Sequence, residues 1–122
     1  MIVLDASAAL AYVFAEPGAE AVDGAMDGAF MSAVNWAEVL SRMARESMPL
    51  EWPESSRFTI VEFDAAQART AAELFSATRT LGLSLADRAC LGLALTKELP
   101  VLTADRVWLG LDLGIEVRLI RP

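Results

Sequence analysis

Met1-Ile2-Val3-Leu4-Asp5-Ala6-Ser7-Ala8-Ala9-Leu10 occupies positions 1–10. Met1–Leu4 is an unbroken apolar run that ends on an acid. The alanine-rich stretch Ala6–Ala15 follows and meets Glu16-Pro17-Gly18, which stops a helix. A strand with no polar alternation is buried on both faces, as in a parallel sheet covered by helices. This one junction therefore points to an α/β fold.

The rest of the chain extends that pattern. Ala19–Asp27 reads as a short helix ended near Gly28, Ala29–Ser32 as a strand, and Val34–Glu46 as an amphipathic helix. Met48–Ser56, with Pro49 and Pro53 around Trp52, reads as a loop. Phe58–Phe63 is strand-like. Asp64 is placed to cap a long helix over Ala65–Thr80, broken at Gly82. Ser84 is placed to cap a helix over Leu85–Glu98 that Pro100 ends. Val101–Thr103 reads as a strand, Asp105–Leu111 as a helical turn or two, and Ile115–Ile120 as a final strand. The order β-α-α-β-α-β-α-α-β-α-β predicts a mostly parallel central sheet flanked by helices, with residues 1–122 as one domain.

Composition narrows the chemistry. A hydrophobic fraction of 55% and mean hydropathy of +0.41 suit a sheet buried on both sides. No apolar stretch reaches the roughly 18 residues a spanning helix needs, so no membrane role is expected. The lone Cys90 and the absence of a basic leader fit a reducing, cytoplasmic setting. Lys and Arg number 10 against 17 Asp and Glu, a poor match to a basic nucleic-acid face unless bound cations offset the acids. Nine of those bases are arginine, which suits phosphate forks. With no histidine, Ser-His-Asp triads and imidazole zinc sites are excluded. Any hydrolytic chemistry falls to carboxylates or a metal.

In open α/β sheets ligands bind beyond the carboxyl ends of the strands. Asp5 and Asp105 follow strands, whereas Glu38 and Asp87 lie early in helices. Together they would form a hard-oxygen set suited to Mg²⁺ or Mn²⁺, which lower the pKa of a bound water and stabilise phosphoryl displacement. Each acid also admits a local role. Asp5 and Asp105 stand where helix N-caps stand, and Ser84-Leu85-Ala86-Asp87 resembles a capping box. Glu38, among Asn35, Trp36, Ala37, Val39 and Leu40, reads as a buried carboxylate in need of a partner. Ser7 and Thr103 are candidate supporting hydroxyls, or simply turn-forming ones. Asn35 either orients Glu38 or caps the helix. Arg42, Arg45, Arg88 and Arg106 are candidate phosphate contacts, although taken singly each fits a solvated surface role better. Trp36, Trp52 and Trp108 read as core or interface.

Four segments together resemble the PIN-domain ribonucleases, specifically the VapC-type toxins of bacterial toxin–antitoxin pairs. They are Val3-Leu4-Asp5-Ala6-Ser7-Ala8, Ser32-Ala33-Val34-Asn35-Trp36-Ala37-Glu38-Val39, Gly82-Leu83-Ser84-Leu85-Ala86-Asp87-Arg88-Ala89-Cys90-Leu91, and Pro100-Val101-Leu102-Thr103-Ala104-Asp105. The resemblance implies a PIN-like fold and Asp5, Glu38, Asp87 and Asp105 as metal-binding catalytic acids, with Ser7 or Thr103 in support. It further implies Mg²⁺- or Mn²⁺-dependent endonucleolytic cleavage of RNA, homodimerisation, and inhibition by a cognate antitoxin that covers the acids. A phosphoaspartyl phosphohydrolase fits less well, because its second Asp would stand where Ser7 is. A receiver domain fits less well too, since Lys97 precedes Val101 instead of following a late strand. A non-enzymatic alternative is a dimeric binding module with Met43, Met48, Trp52 and Phe58 as its apolar face.

Overall fold

The computed structural model describes residues 1–52 and 57–122. In chain order the elements are β1 (Val3–Leu4), α1 (Ala6–Val13), α2 (Ala19–Met26), β2 (Phe30–Ser32), α3 (Ala33–Arg45) and β3 (Thr59–Val61). They continue with α4 (Ala65–Glu73), α5 (Phe75–Thr78), a 3₁₀ turn at Arg79–Leu81, α6 (Leu85–Lys97), β4 (Val101–Thr103), a 3₁₀ turn at Arg106–Gly110 and β5 (Val117–Leu119).

Every strand pairing among the described residues is parallel, and the order across the sheet is β3-β2-β1-β4-β5. The chain first builds outward from β1 on one side and then crosses to the other. The switch in direction therefore falls between β1 and β4, where Val3 pairs Val101 and Leu4 pairs Leu102.

The two-residue period of the strands divides the core. Leu4, Met31 and Leu102 face α1, α2 and α3, packing with Ala8, Val22 and Val39. Val3 and Val101 face the opposite way, onto α6, with Leu91, Leu93 and Trp108. Both sheet faces are covered, as continuous apolar strands require. Gly18 makes the closest backbone approach: it holds φ +97°, and a Cβ there would stand 2.6 Å from the Ile120 carbonyl oxygen.

The structure departs from the sequence reading at one helix. Ala65–Thr80 is not continuous, because the helix tightens at Leu74, whose N–H is shared between the Thr70 and Ala71 carbonyls. The Thr78 hydroxyl donates back to the Leu74 carbonyl at 2.8 Å, and Arg88 donates to the Ala71 carbonyl at 3.3 Å. These competing donors split the segment into α4, α5 and a 3₁₀ turn. Asp64 does cap α4, its Oδ1 accepting from Gln67 N at 2.9 Å. Of the loop read over Met48–Ser56, residues 53–56 lie outside the described residues; Met48–Trp52 carry no regular element.

Candidate active site

The switch between β1 and β4 puts Asp5 and Asp105 side by side at the carboxyl edge of the sheet. α3 brings Glu38 to the same place and the first turn of α6 brings Asp87. All four line one open cleft of about 280 Å³, together with Ser7, Ala6, Leu10, Arg42 and Arg45. A larger cavity of about 410 Å³, between the end of α6 and the loop before β5, sits at the opposite edge and holds none of these residues.

Asp5 forms the floor. It occupies the N-cap position of α1 yet makes no capping bond. Its Oδ2 instead accepts the Ser7 hydroxyl at 2.6 Å and the Thr103 hydroxyl at 2.8 Å. Those hydroxyls are fixed in turn, since Ala104 N donates to Ser7 Oγ at 2.9 Å and Asp105 N to Thr103 Oγ1 at 3.0 Å. With each hydroxyl proton committed to Asp5, the 3.2 Å separation of Ser7 Oγ and Thr103 Oγ1 is proximity and not a third bond. Asp5 is only 5% exposed. Burial pushes its pKa up to about 6, against the opposing pull of the Ser7 and Thr103 hydrogen bonds, and the Asp87 and Glu38 charges push it further up.

Glu38 corrects an expectation. It is not the buried acid: Ala37 and Glu38 lie on the exposed side of α3, while Asn35, Val39 and Met43 form the buried stripe. The apolar neighbours that suggested burial occupy other faces of the helix. Partial desolvation still raises the Glu38 pKa, eased by a hydrogen bond from Asn35 and increased by the Asp87 charge.

The capping alternatives resolve differently for the other two acids. Asp105 does cap, its Oδ1 accepting from Val107 N at 3.0 Å. Asp87 completes a capping box with Ser84, its Oδ2 accepting from Ser84 N at 2.9 Å. These bonds use one oxygen of each carboxylate. Asp5 Oδ1, Glu38 Oε2, Asp87 Oδ1 and Asp105 Oδ2 accept no hydrogen bond from the described residues. Capping and presentation of an oxygen to the cleft are thus compatible.

Asn35 does not cap α3, a role taken by Ser32; it donates to Glu38 Oε1 at 3.2 Å. Arg42 stands at the cleft rim, paired with Glu46 at 3.3 Å and 5.0 Å from the Phe14 ring centre, and Arg45 is exposed beside it. Arg88 and Arg106 do not line the cleft. Arg88 instead bonds the end of α4 and stacks 5.3 Å over Phe75, and Arg106 is exposed on the 3₁₀ turn. Ala6 and Leu10, which carry no chemical signal, are the cleft residues that sequence reasoning missed. Cys90 is buried on α6 one turn beyond Asp87, and burial with the Asp5, Asp87 and Glu38 charges drives its thiol well up, so it stays neutral. Met43, Trp52 and Phe58 are core residues, which removes most of the apolar face a binding module would use.

The donor set tests well for a small divalent cation. Every side-chain ligand on offer is a hard oxygen, and the buried floor carboxylate has no cation paired with it among the described residues. The acids line the cleft without three of them closing on one point, again among the described residues. An ion there would take part of its shell from water or phosphate, as Mg²⁺ habitually does.

A family model described as the PIN domain matches residues 2–112. The chain belongs to the PIN domain family. Its fold is that of PIN-fold toxins of known structure. One is the toxin–antitoxin complex from Klebsiella pneumoniae, 18% identical, with TM-score 0.76 over 94% of this chain and 95% of that one. FitAcB from Neisseria gonorrhoeae is 23% identical, with TM-score 0.74 over 97% and 96%. VapBC2 from Rickettsia felis, bound to a DNA fragment from its promoter, is 14% identical, with TM-score 0.70 over 98% of each chain. No curated protein sequence is matched. No helix among the described residues of this PIN domain is long and apolar enough to cross a membrane.

Proposed function

We propose that this PIN domain is a Mg²⁺- or Mn²⁺-dependent endoribonuclease, acting in the cytoplasm as the toxin of a toxin–antitoxin pair. The observation that carries the reading is Asp5: a buried carboxylate, anchored by two hydroxyls, with its second oxygen open to a cleft walled by Glu38, Asp87 and Asp105. A fold without a ligand to receive would gain nothing from burying that charge.

When bound, the ion supplies Lewis acidity and a water of lowered pKa at the scissile phosphodiester. The carboxylates of Asp5, Glu38, Asp87 and Asp105 would hold it, directly or through its water, and Ser7 and Thr103 keep Asp5 in one rotamer. Arg42 and Arg45 at the rim take phosphate oxygens of the RNA. The net charge of −7 is offset locally by the ion. The likeness to the Klebsiella pneumoniae toxin–antitoxin complex supports a cognate antitoxin as partner; the same proposal has that antitoxin cover the acids, the toxin act as a homodimer, and residues 1–122 work as one unit.

The test is cleavage of RNA by purified protein with Mg²⁺ or Mn²⁺, with EDTA, and after Asp5→Ala. Metal-dependent cleavage that the substitution abolishes while the far-UV spectrum is unchanged supports the proposal. No cleavage with either ion, or equal cleavage after Asp5→Ala, defeats it. Sequencing the new 5′ ends then identifies the RNA.

A further inference from the structure

Three of the four acids are fixed by donors from their own chain neighbourhood or the adjoining strand. Glu38 is fixed by a residue that also reaches another element. Asn35, 0% exposed, sends one N–H of its Nδ2 to Glu38 Oε1 at 3.2 Å and the other across to the Ala86 carbonyl on α6 at 3.0 Å. Ala86 is the residue next to Asp87. One planar amide therefore links two helices that both line the cleft, with an acid beside each of its bonds.

This amide is a poor investment for stability alone. Ser32 already caps α3, and Ala86 lies in the first turn of α6, where helix carbonyls find donors along the helix. Asn35 Oδ1 is buried and finds no donor among the described residues. An apolar side chain of similar size would leave no such orphan, and swaps of that kind are often neutral or stabilising. What an apolar side chain cannot do is hold the Glu38 carboxylate at a set distance from Asp87.

We propose that Asn35 is a positioning residue, a strut that sets the spacing of Glu38 and Asp87 and thereby the grip of the cleft on a divalent cation. This rests on reading the cleft as a metal-dependent nuclease site. Asn35 touches neither metal nor RNA; it acts through Glu38.

The experiment is Mn²⁺ titration calorimetry on the full chain, unsubstituted and as Asn35→Val and Asn35→Ala, each also combined with Glu38→Ala, with thermal midpoints in EDTA. Outer-shell changes typically weaken metal binding 10- to 100-fold. A loss of about 10-fold is expected in both Asn35 variants, with the Asn35→Val midpoint unchanged or raised. With Glu38→Ala already present, removing Asn35 is expected to change affinity less than about 2-fold. Wild-type affinity in both Asn35 variants overturns the strut while leaving the metal site intact. The same loss with and without Glu38 overturns it as well, as does failure of both variants to melt cooperatively, since each marks a general packing role. An unsubstituted protein that binds no Mn²⁺ overturns the metal site and the strut together.

Discussion

Replacing Asp5 by Asn is expected to make the metal-free protein more stable at neutral pH while ending its activity. The folded-state pKa, about 6, stands above the ordinary 3.8, so the carboxyl favours folding while protonated. That contribution is complete below 3.8 and lost as the pH climbs through 6. At 1.36 kcal/mol per unit, the ionised form at pH 7.5 costs about 3 kcal/mol, and the cost shrinks to about 1 kcal/mol at pH 4.5. The amide oxygen of Asn in place of Oδ2 still accepts the Ser7 and Thr103 hydroxyls, and its NH₂ replaces an oxygen with no partner among the described residues. Asp5→Asn in EDTA should therefore melt higher at pH 7.5, by about 10 °C for a domain of this size, and by a third of that at pH 4.5. Added Mn²⁺ reverses the order, because only the carboxylate gains the linkage stabilisation of a bound ion. Thermal melts at the two pH values decide it. A variant that melts lower at pH 7.5 in EDTA, or a gap that does not change with pH, would refute the account of Asp5 as a charge buried for a ligand.

Thr103→Val removes one of the two donors that hold the Asp5 charge and the acceptor for Asp105 N–H. Asp5 then moves further up, so the acidic limb of the cleavage-rate profile shifts to higher pH, and the stranded N–H costs about 1–3 kcal/mol in urea unfolding. An unmoved limb counts against the network. The arginines separate by location. Arg88→Ala is expected to cost about 1–2 kcal/mol, through the lost α4 bond and Phe75 stack, and to leave the salt dependence of RNA binding unchanged. Arg45→Ala is expected to leave stability within about 0.5 kcal/mol and to flatten the salt dependence of RNA binding by about one charge. Filter binding across a salt series with both variants checks the pair, and matching slopes for the two would remove Arg45 from the RNA path.

What the sequence could reveal followed the range of the interactions involved. Strand and helix identities depend on neighbours within a few residues, so the apolar run before Asp5, the Ser84 capping box and the Pro100 stop were legible. The split of α4 from α5 was not, because the Ala71 carbonyl is claimed by Arg88, 17 residues away. The candidate site shows the same divide. That acids would carry it followed from the absence of histidine, and their placement in one cleft needed only the parallel sheet and its switch point. Which acid is buried is not legible locally. The apolar neighbours of Glu38 in sequence point to other faces of the helix, whereas Asp5 is buried by a sheet edge assembled from β1 and β4, about a hundred residues apart. The hydroxyl pair that holds Asp5 closes across the same gap, Ser7 to Thr103. Local sequence sets the chemistry each residue can offer, and the crossover at β1 and β4 decides which carboxylate bears the cost of leaving water. That makes Asp5, not Glu38, the acid whose ionisation would gain most from a bound cation.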